Sequence, residues 1–108
     1  MSKGYRVYLD DILEAIGKIE SYTKNTSYKE FSENTMASDA VIRNLEIIGE
    51  AIKNLPPEIK ARHQGIEWKK ISGLRDILIH EYFGVDMEII WDIVRNKLPE
   101  LKASLRKI

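Results

Sequence analysis

The sequence predicts an all-α bundle, and three observations predict it. Glycine and proline are scarce, at six and three of 108 residues. Apolar residues recur at helical spacing along most of the chain. The polar breaks between these stretches are short, so consecutive helices must turn back on one another. The expected architecture is four principal antiparallel helices plus one or two short ones. With no internal repeat and no linker, residues 1–108 read as a single domain.

The first helix is expected from Tyr5 to Thr23, where Tyr5, Leu9, Ile12, Ile16 and Ile19 form one stripe with Leu13 beside it. Lys24-Asn25-Thr26-Ser27 breaks it with short polar side chains that compete for backbone hydrogen bonds. A short helix over Tyr28 to Glu33 follows. The next runs from Ala37 to Leu55, capped by Ser38, with Val41, Leu45, Ile48, Ile52 and Leu55 facing a core. Pro56 ends it by excluding Leu55 from the α region. Pro57 opens a short helix over Glu58 to Arg62, which Gly65 closes. A helix from Trp68 to Tyr82 comes next, with Gly84 as its terminator. Asp86 caps the last helix, whose buried face is Ile89, Ile90, Ile93, Val94 and Leu98, and Pro99 is expected to kink it or split off Glu100 to Ile108.

Composition excludes several function classes. Seventeen Lys and Arg balance 17 Asp and Glu, so the surface as a whole is no magnet for nucleic acid and any such binding must be local. No apolar run approaches the roughly 20 residues of a membrane span. Asp10 and Asp11 interrupt the first apolar stretch, so the N-terminus is no signal peptide. The absence of cysteine rules out disulfides and thiolate metal sites and fits a cytoplasmic protein.

The Trp68–Tyr82 segment carries the chemistry. On an ideal helix Ile71, Leu74 and Leu78 form its core face, and Arg75 and Tyr82 fall within roughly 20° of each other. His80 lies about 140° from Arg75, and Asp76 shares a face with His80 one turn before it. Three readings compete: a surface Asp76–His80 pair with Arg75 lying over the core edge, a metal ligand at His80, or an active Arg75–His80 pair. The metal reading lacks ligands, because the only other histidine, His63, lies in a separate loop. The active pair requires a distorted helix or a second copy of the chain. It would suit RNA phosphodiester cleavage without a metal. An imidazole can move protons at the ribose 2′-hydroxyl and the leaving oxygen, an arginine fork matches phosphate, and Asp76 can orient the imidazole.

The string Arg75-Asp76-Ile77-Leu78-Ile79-His80-Glu81-Tyr82 resembles the R-x4-H-x-Y motif of HepT-like toxins, a branch of the HEPN (higher eukaryote and prokaryote nucleotide-binding) superfamily. The likeness extends to Tyr8-Leu9-Asp10-Asp11-Ile12, to the helix from Ile42 to Ala51, and to Trp68-Lys69-Lys70-Ile71-Ser72-Gly73-Leu74 before the motif. The resemblance implies a HEPN-type helical bundle that dimerises so that two motifs line one cleft. It implies a metal-independent ribonuclease, needing no cofactor, that is the toxin of a toxin–antitoxin pair. The partner would be an MntA-type nucleotidyltransferase that silences the toxin by adding AMP to the motif tyrosine. Carried over, Arg75 and His80 are the catalytic pair, Asp76 their polar companion and Tyr82 the modification target.

Lys69 and Lys70, one to two turns before the motif, are candidate RNA contacts whose ordinary role is that of solvated surface lysines. Asp39, Arg43, Glu46 and Glu50 form a charged stripe that reads either as a solvated face or as a dimer or antitoxin contact. Trp68 and Trp91 read as core or interface anchors. The rival reading keeps the fold without the enzyme: a non-catalytic helical subunit that binds a nucleotide or a partner within a nucleotidyltransferase complex. A plain dimerisation domain is a third.

Overall fold

The computed structural model describes residues 3–73 and 86–108, and every regular element among them is helical. In chain order these are α1 (Lys3–Thr23), α2 (Tyr28–Glu33), α3 (Thr35–Asn54), α4 (Pro57–Arg62), a helix α5 described over residues 68–73, and α6 (Met87–Asp92). From α6 the chain runs through a π-helical turn (Ile93–Lys97) into α7 (Leu98–Leu105). The all-α class stands. The predicted course of α5 from Leu74 to Tyr82, and its termination at Gly84, lie outside the described residues.

Helices α1 and α3 form the central pair. Leu9, Ile12, Ile16 and Ile19 of the predicted first stripe are buried, as are Val41, Leu45, Ile48 and Ile52 of the second, while Tyr5 packs at the edge. Burying each such side chain contributes roughly 1.5–3 kcal/mol, so this seam dominates the apolar stabilisation. Leu98, Leu101 and Leu105 of α7 join the same core, and an ion pair from Lys102 to Glu20, at 2.9 Å, ties α7 to α1 at the surface.

The local signals account for most boundaries. Asn25 adopts the left-handed conformation, φ 57°, after the end of α1, a backbone region that asparagine tolerates better than most residues. Ser27 and Glu30 close a capping box at the start of α2: the Glu30 amide donates to Ser27 Oγ at 3.1 Å, and the Ser27 amide donates to Glu30 Oε1 at 3.0 Å. The amide bond to its carboxylate, and then the hydroxyl, hold Glu30 below the ordinary glutamate pKa. Leu55 is extended ahead of Pro56, and Pro57 occupies the first turn of α4, as predicted.

Five expectations are corrected. Helix α1 begins at Lys3, two residues before Tyr5. Helix α3 begins at Thr35, capped by Asn34, whose Oδ1 accepts from the Ala37 amide at 3.0 Å. Ser38 is therefore inside the helix, buried, its hydroxyl bonded to the Thr35 carbonyl. Gly65 does not close α4: the helix ends at His63, and no described glycine has positive φ. Pro99 does not split off the C-terminal segment. The Leu98 amide bonds the Ile93 carbonyl, five residues back, and the helix continues through Pro99 into α7. Ile89 is 57% exposed and is not part of the buried face, whereas Ile90, Val94 and Leu98 are buried.

Arg95, on the π turn, locks three elements together. Its guanidinium lies 4.2 Å from the centroid of the Trp91 ring, and it donates to the Thr23 carbonyl at 3.1 Å and to the Thr26 carbonyl. The charge thus meets the partial negative end of α1, where the Thr23 carbonyl also accepts from the Thr26 amide at 3.2 Å. Trp91 in turn packs on Phe31 of α2, ring centroids 5.0 Å apart, and edge-on to Tyr28. Arg95→Ala should lower folding stability by about 1–3 kcal/mol, since it removes two hydrogen bonds to carbonyls and the stacked cation. Urea unfolding followed by circular dichroism measures this, and an unchanged midpoint would show that the contact contributes nothing.

Candidate functional site

The sequence motif occupies positions 75–82, so the site is built here from the elements on either side of it. Leading in, the chain leaves α4 at His63, turns through Gln64 and Gly65, and starts α5 at Trp68. Trp68 fixes this turn. Its side chain is buried, and its indole N–H donates to the Lys60 carbonyl at 3.2 Å and to the His63 carbonyl at 3.0 Å. One donor thereby bridges two carbonyls at the end of α4, and the ring anchors the start of α5 on the core. Ile71, one turn on, packs against the same core. On the far side, Asp86 caps α6 by accepting from the Glu88 amide at 2.8 Å. Arg75, Asp76, His80 and Tyr82 themselves lie outside the described residues.

Lys69 and Lys70 are placed by this turn, and both are exposed. They differ electrostatically. Lys70 Nζ lies 2.8 Å from Glu67 Oε2. The hydrogen bond, reinforced by the charge of Lys70, holds the Glu67 carboxyl below its ordinary pKa and raises that of Lys70. Lys69 has no ion-pair partner among the described residues.

Two grooves flank these elements. One of about 280 Å³ lies between α3, the 65–71 segment and α7; its floor is apolar, with Leu45, Ile48, Ile71 and Leu101, and Lys70 and Lys97 stand on its lining. The other, of about 340 Å³, lies between α1 and α3 and is lined by Tyr8, Asp11, Arg43, Glu46 and Glu50 among others. Three members of the predicted charged stripe therefore look across at α1. Arg43 and Glu46 are 3.5 Å apart. His63 sits at the end of α4, in a loop as expected, and serves through its carbonyl.

The structure also brings out residues that sequence reading missed. Lys60 joins Lys69 and Lys70 around one shallow depression of about 570 Å³. Arg95 contacts carbonyls 69 and 72 residues earlier in the chain. No local signal announces either, since both depend on where tryptophan rings settle.

The Glu67–Lys70 pair makes a pH prediction. A carboxyl with a depressed folded-state pKa favours the native state above its unfolded pKa, and that contribution is lost as pH falls through the folded value. The Glu67 side-chain carbon resonance should therefore titrate at a lower midpoint than an ordinary glutamate and move upward in Lys70→Ala. Identical midpoints in the two proteins would show that the pair is not formed in solution.

Comparison with known proteins places this arrangement. The sequence model of the family described as "Ribonuclease HepT-like" matches residues 12–108. A Thermococcus cleftensis protein named "Probable ribonuclease HepT" is 43% identical over 108 residues, covering 100% of this chain and 98% of its own. A Caldanaerobacter subterraneus protein named "Putative RNase" is 43% identical over 103 residues, 95% of this chain and 92% of its own. A Methanocaldococcus jannaschii protein named "Gamma-glutamylcyclotransferase and putative RNase" is 47% identical over 108 residues; this chain spans 49% of that longer protein. No solved structure matches. A match over most of the chain, with relatives of this identity along its full length, means that the protein belongs to the ribonuclease HepT-like family.

Proposed function

We propose that this protein is a metal-independent endoribonuclease that acts in the cytoplasm as the toxin of a toxin–antitoxin pair. One observation carries the reading. The R-x4-H-x-Y string Arg75–Tyr82 stands intact in a chain of the HepT-like family, with relatives that carry the names of ribonucleases.

The chemistry follows from the residue types. A neutral His80 imidazole takes the proton of a ribose 2′-hydroxyl as that oxygen attacks phosphorus, and an imidazolium protonates the oxygen that leaves. Arg75 holds the phosphate oxygens and meets the negative charge that develops on them. Asp76 orients the imidazole as a hydrogen-bond acceptor. Five residues place Arg75 and His80 about 140° apart on a regular helix, so a homodimer that presents two motifs to one cleft supplies the pair across its interface.

The same string suggests how the activity is held in check. Seven residues bring Tyr82 back to within roughly 20° of Arg75 on a regular helix. An AMP group placed there by an MntA-type nucleotidyltransferase antitoxin would set a negative phosphate against the guanidinium and block the RNA.

Purified, unmodified protein incubated with RNA and a chelator should cleave it, and His80→Ala should reduce the rate by about 100-fold or more. Equal inertness of the two proteins on every RNA tried would favour a non-catalytic subunit that binds a nucleotide or partner. Co-expression with the cognate nucleotidyltransferase should add one or more AMP masses to the peptide bearing Tyr82. Finding them instead on Tyr5, Tyr8, Tyr22 or Tyr28 would refute the assigned target while leaving the nuclease reading intact.

A further inference from the structure

The proposed reaction leaves open how a chain of zero net charge draws in a polyanion. The described surface offers one concentrated answer. Lys60 at the end of α4 and Lys69 and Lys70 at the start of α5 line one open depression with Gln64, Ile66 and Trp68. The Trp68 indole brings them together by holding the Lys60 carbonyl at 3.2 Å, so that lysines nine residues apart in sequence border the same hollow. Three ammonium groups face one carboxylate there, Glu67, and Lys70 is the lysine that pairs with it. Lys60 and Lys69 have no ion-pair partner among the described residues. The hollow is shallow and continuous in sequence with the motif: Lys70 precedes Arg75 by five residues.

We infer that Lys60 and Lys69 form a phosphate-backbone track that delivers single-stranded RNA to the motif, with Glu67 restraining it by holding Lys70. The inference rests on the ribonuclease reading. An open basic surface without a deep pocket fits a flexible backbone better than a compact ligand, and its contacts are sequence-independent and salt-sensitive. Glu67 gives the track a built-in limit, because neutralising it would free a third ammonium for phosphate.

The test measures RNA binding and cleavage separately. Binding of a fluorescent single-stranded RNA to His80→Ala protein is followed by anisotropy across a salt series, in that background alone, with Lys60→Ala/Lys69→Ala, with Glu67→Gln, and with the charge-matched control Lys24→Ala/Lys29→Ala on the exposed α1–α2 side. Removing the track should weaken binding about tenfold at low salt and flatten the log–log salt slope by about 1.4, the value for two single-strand phosphate contacts. Glu67→Gln should tighten binding, and the control pair should behave like the parent. In the cleavage-competent protein, Lys60→Ala/Lys69→Ala should raise KM with kcat nearly unchanged, and Lys60→Arg/Lys69→Arg should restore it. Track and control variants that weaken binding equally, or a track variant that binds like the parent, would overturn the inference. Loss of RNA cleavage in the wild type alongside a track-dependent salt slope would sink the nuclease reading and leave the track standing.

Discussion

The structure depends on the apolar seam between α1 and α3. Leu9, Ile12, Ile16 and Ile19 meet Val41, Leu45, Ile48 and Ile52 in one buried cluster, and each remaining element is fixed by what it adds to that pair. Helix α7 contributes Leu98, Leu101 and Leu105; α2 contributes Phe31; α5 enters with Trp68. Helix α2, at six residues, lacks the length to be stable alone in water, so its geometry is borrowed from the seam. That dependence reaches the segment that precedes the sequence motif. The start of α5 is held by a tryptophan ring sunk in the core, and this is the segment that carries the chain into the motif.

The C-terminal helical stretch shows why one part of the sequence was easy to read and its neighbour was not. Six apolar residues in ten, Ile89, Ile90, Trp91, Ile93, Val94 and Leu98, are more than one face can bury, and periodicity alone does not say which is left out. The π turn decides it. Bonding five residues back turns the chain less per residue, which offsets the drift that successive steps of four build up on an α-helix. Ile90, Val94, Leu98, Leu101 and Leu105 then share a face, and Ile89 is left in water. The same turn accommodates Pro99. A proline is a helix breaker where bonding must run four residues back, and its penalty falls where the register has already slipped.

Caps were legible where only one residue could serve. Asp86 stands alone ahead of its apolar pattern and Pro57 marks a first turn, whereas Ser27 reads only as part of a polar break and its capping box appears in the structure. Before α3 the cap is expected at Ser38, but Asn34 serves, and starting four residues earlier adds a further turn of helix; Ser38 then satisfies its own hydroxyl on Thr35. The motif residues were legible from the R-x4-H-x-Y string and its resemblance to HepT-like toxins, since spacing alone leaves three readings open, and they lie outside the described residues. Lys60 was not, because its membership in a basic hollow is a tertiary fact created by the Trp68 hydrogen bond.

A neutral chain that handles RNA has to make its positive potential local, and locality makes it controllable. Charges spread over a whole surface would bind any polyanion and respond to no single event. Charges gathered at one turn can be tuned by one carboxylate, as Glu67 does for Lys70. By the same physics the single negative charge of an AMP diester at the motif tyrosine would balance one guanidinium in the proposed scheme, whereas it would be lost against a broadly basic surface. With 17 cations balanced by 17 anions, positive potential in this chain has to come from local clusters such as the hollow at Lys60, Lys69 and Lys70.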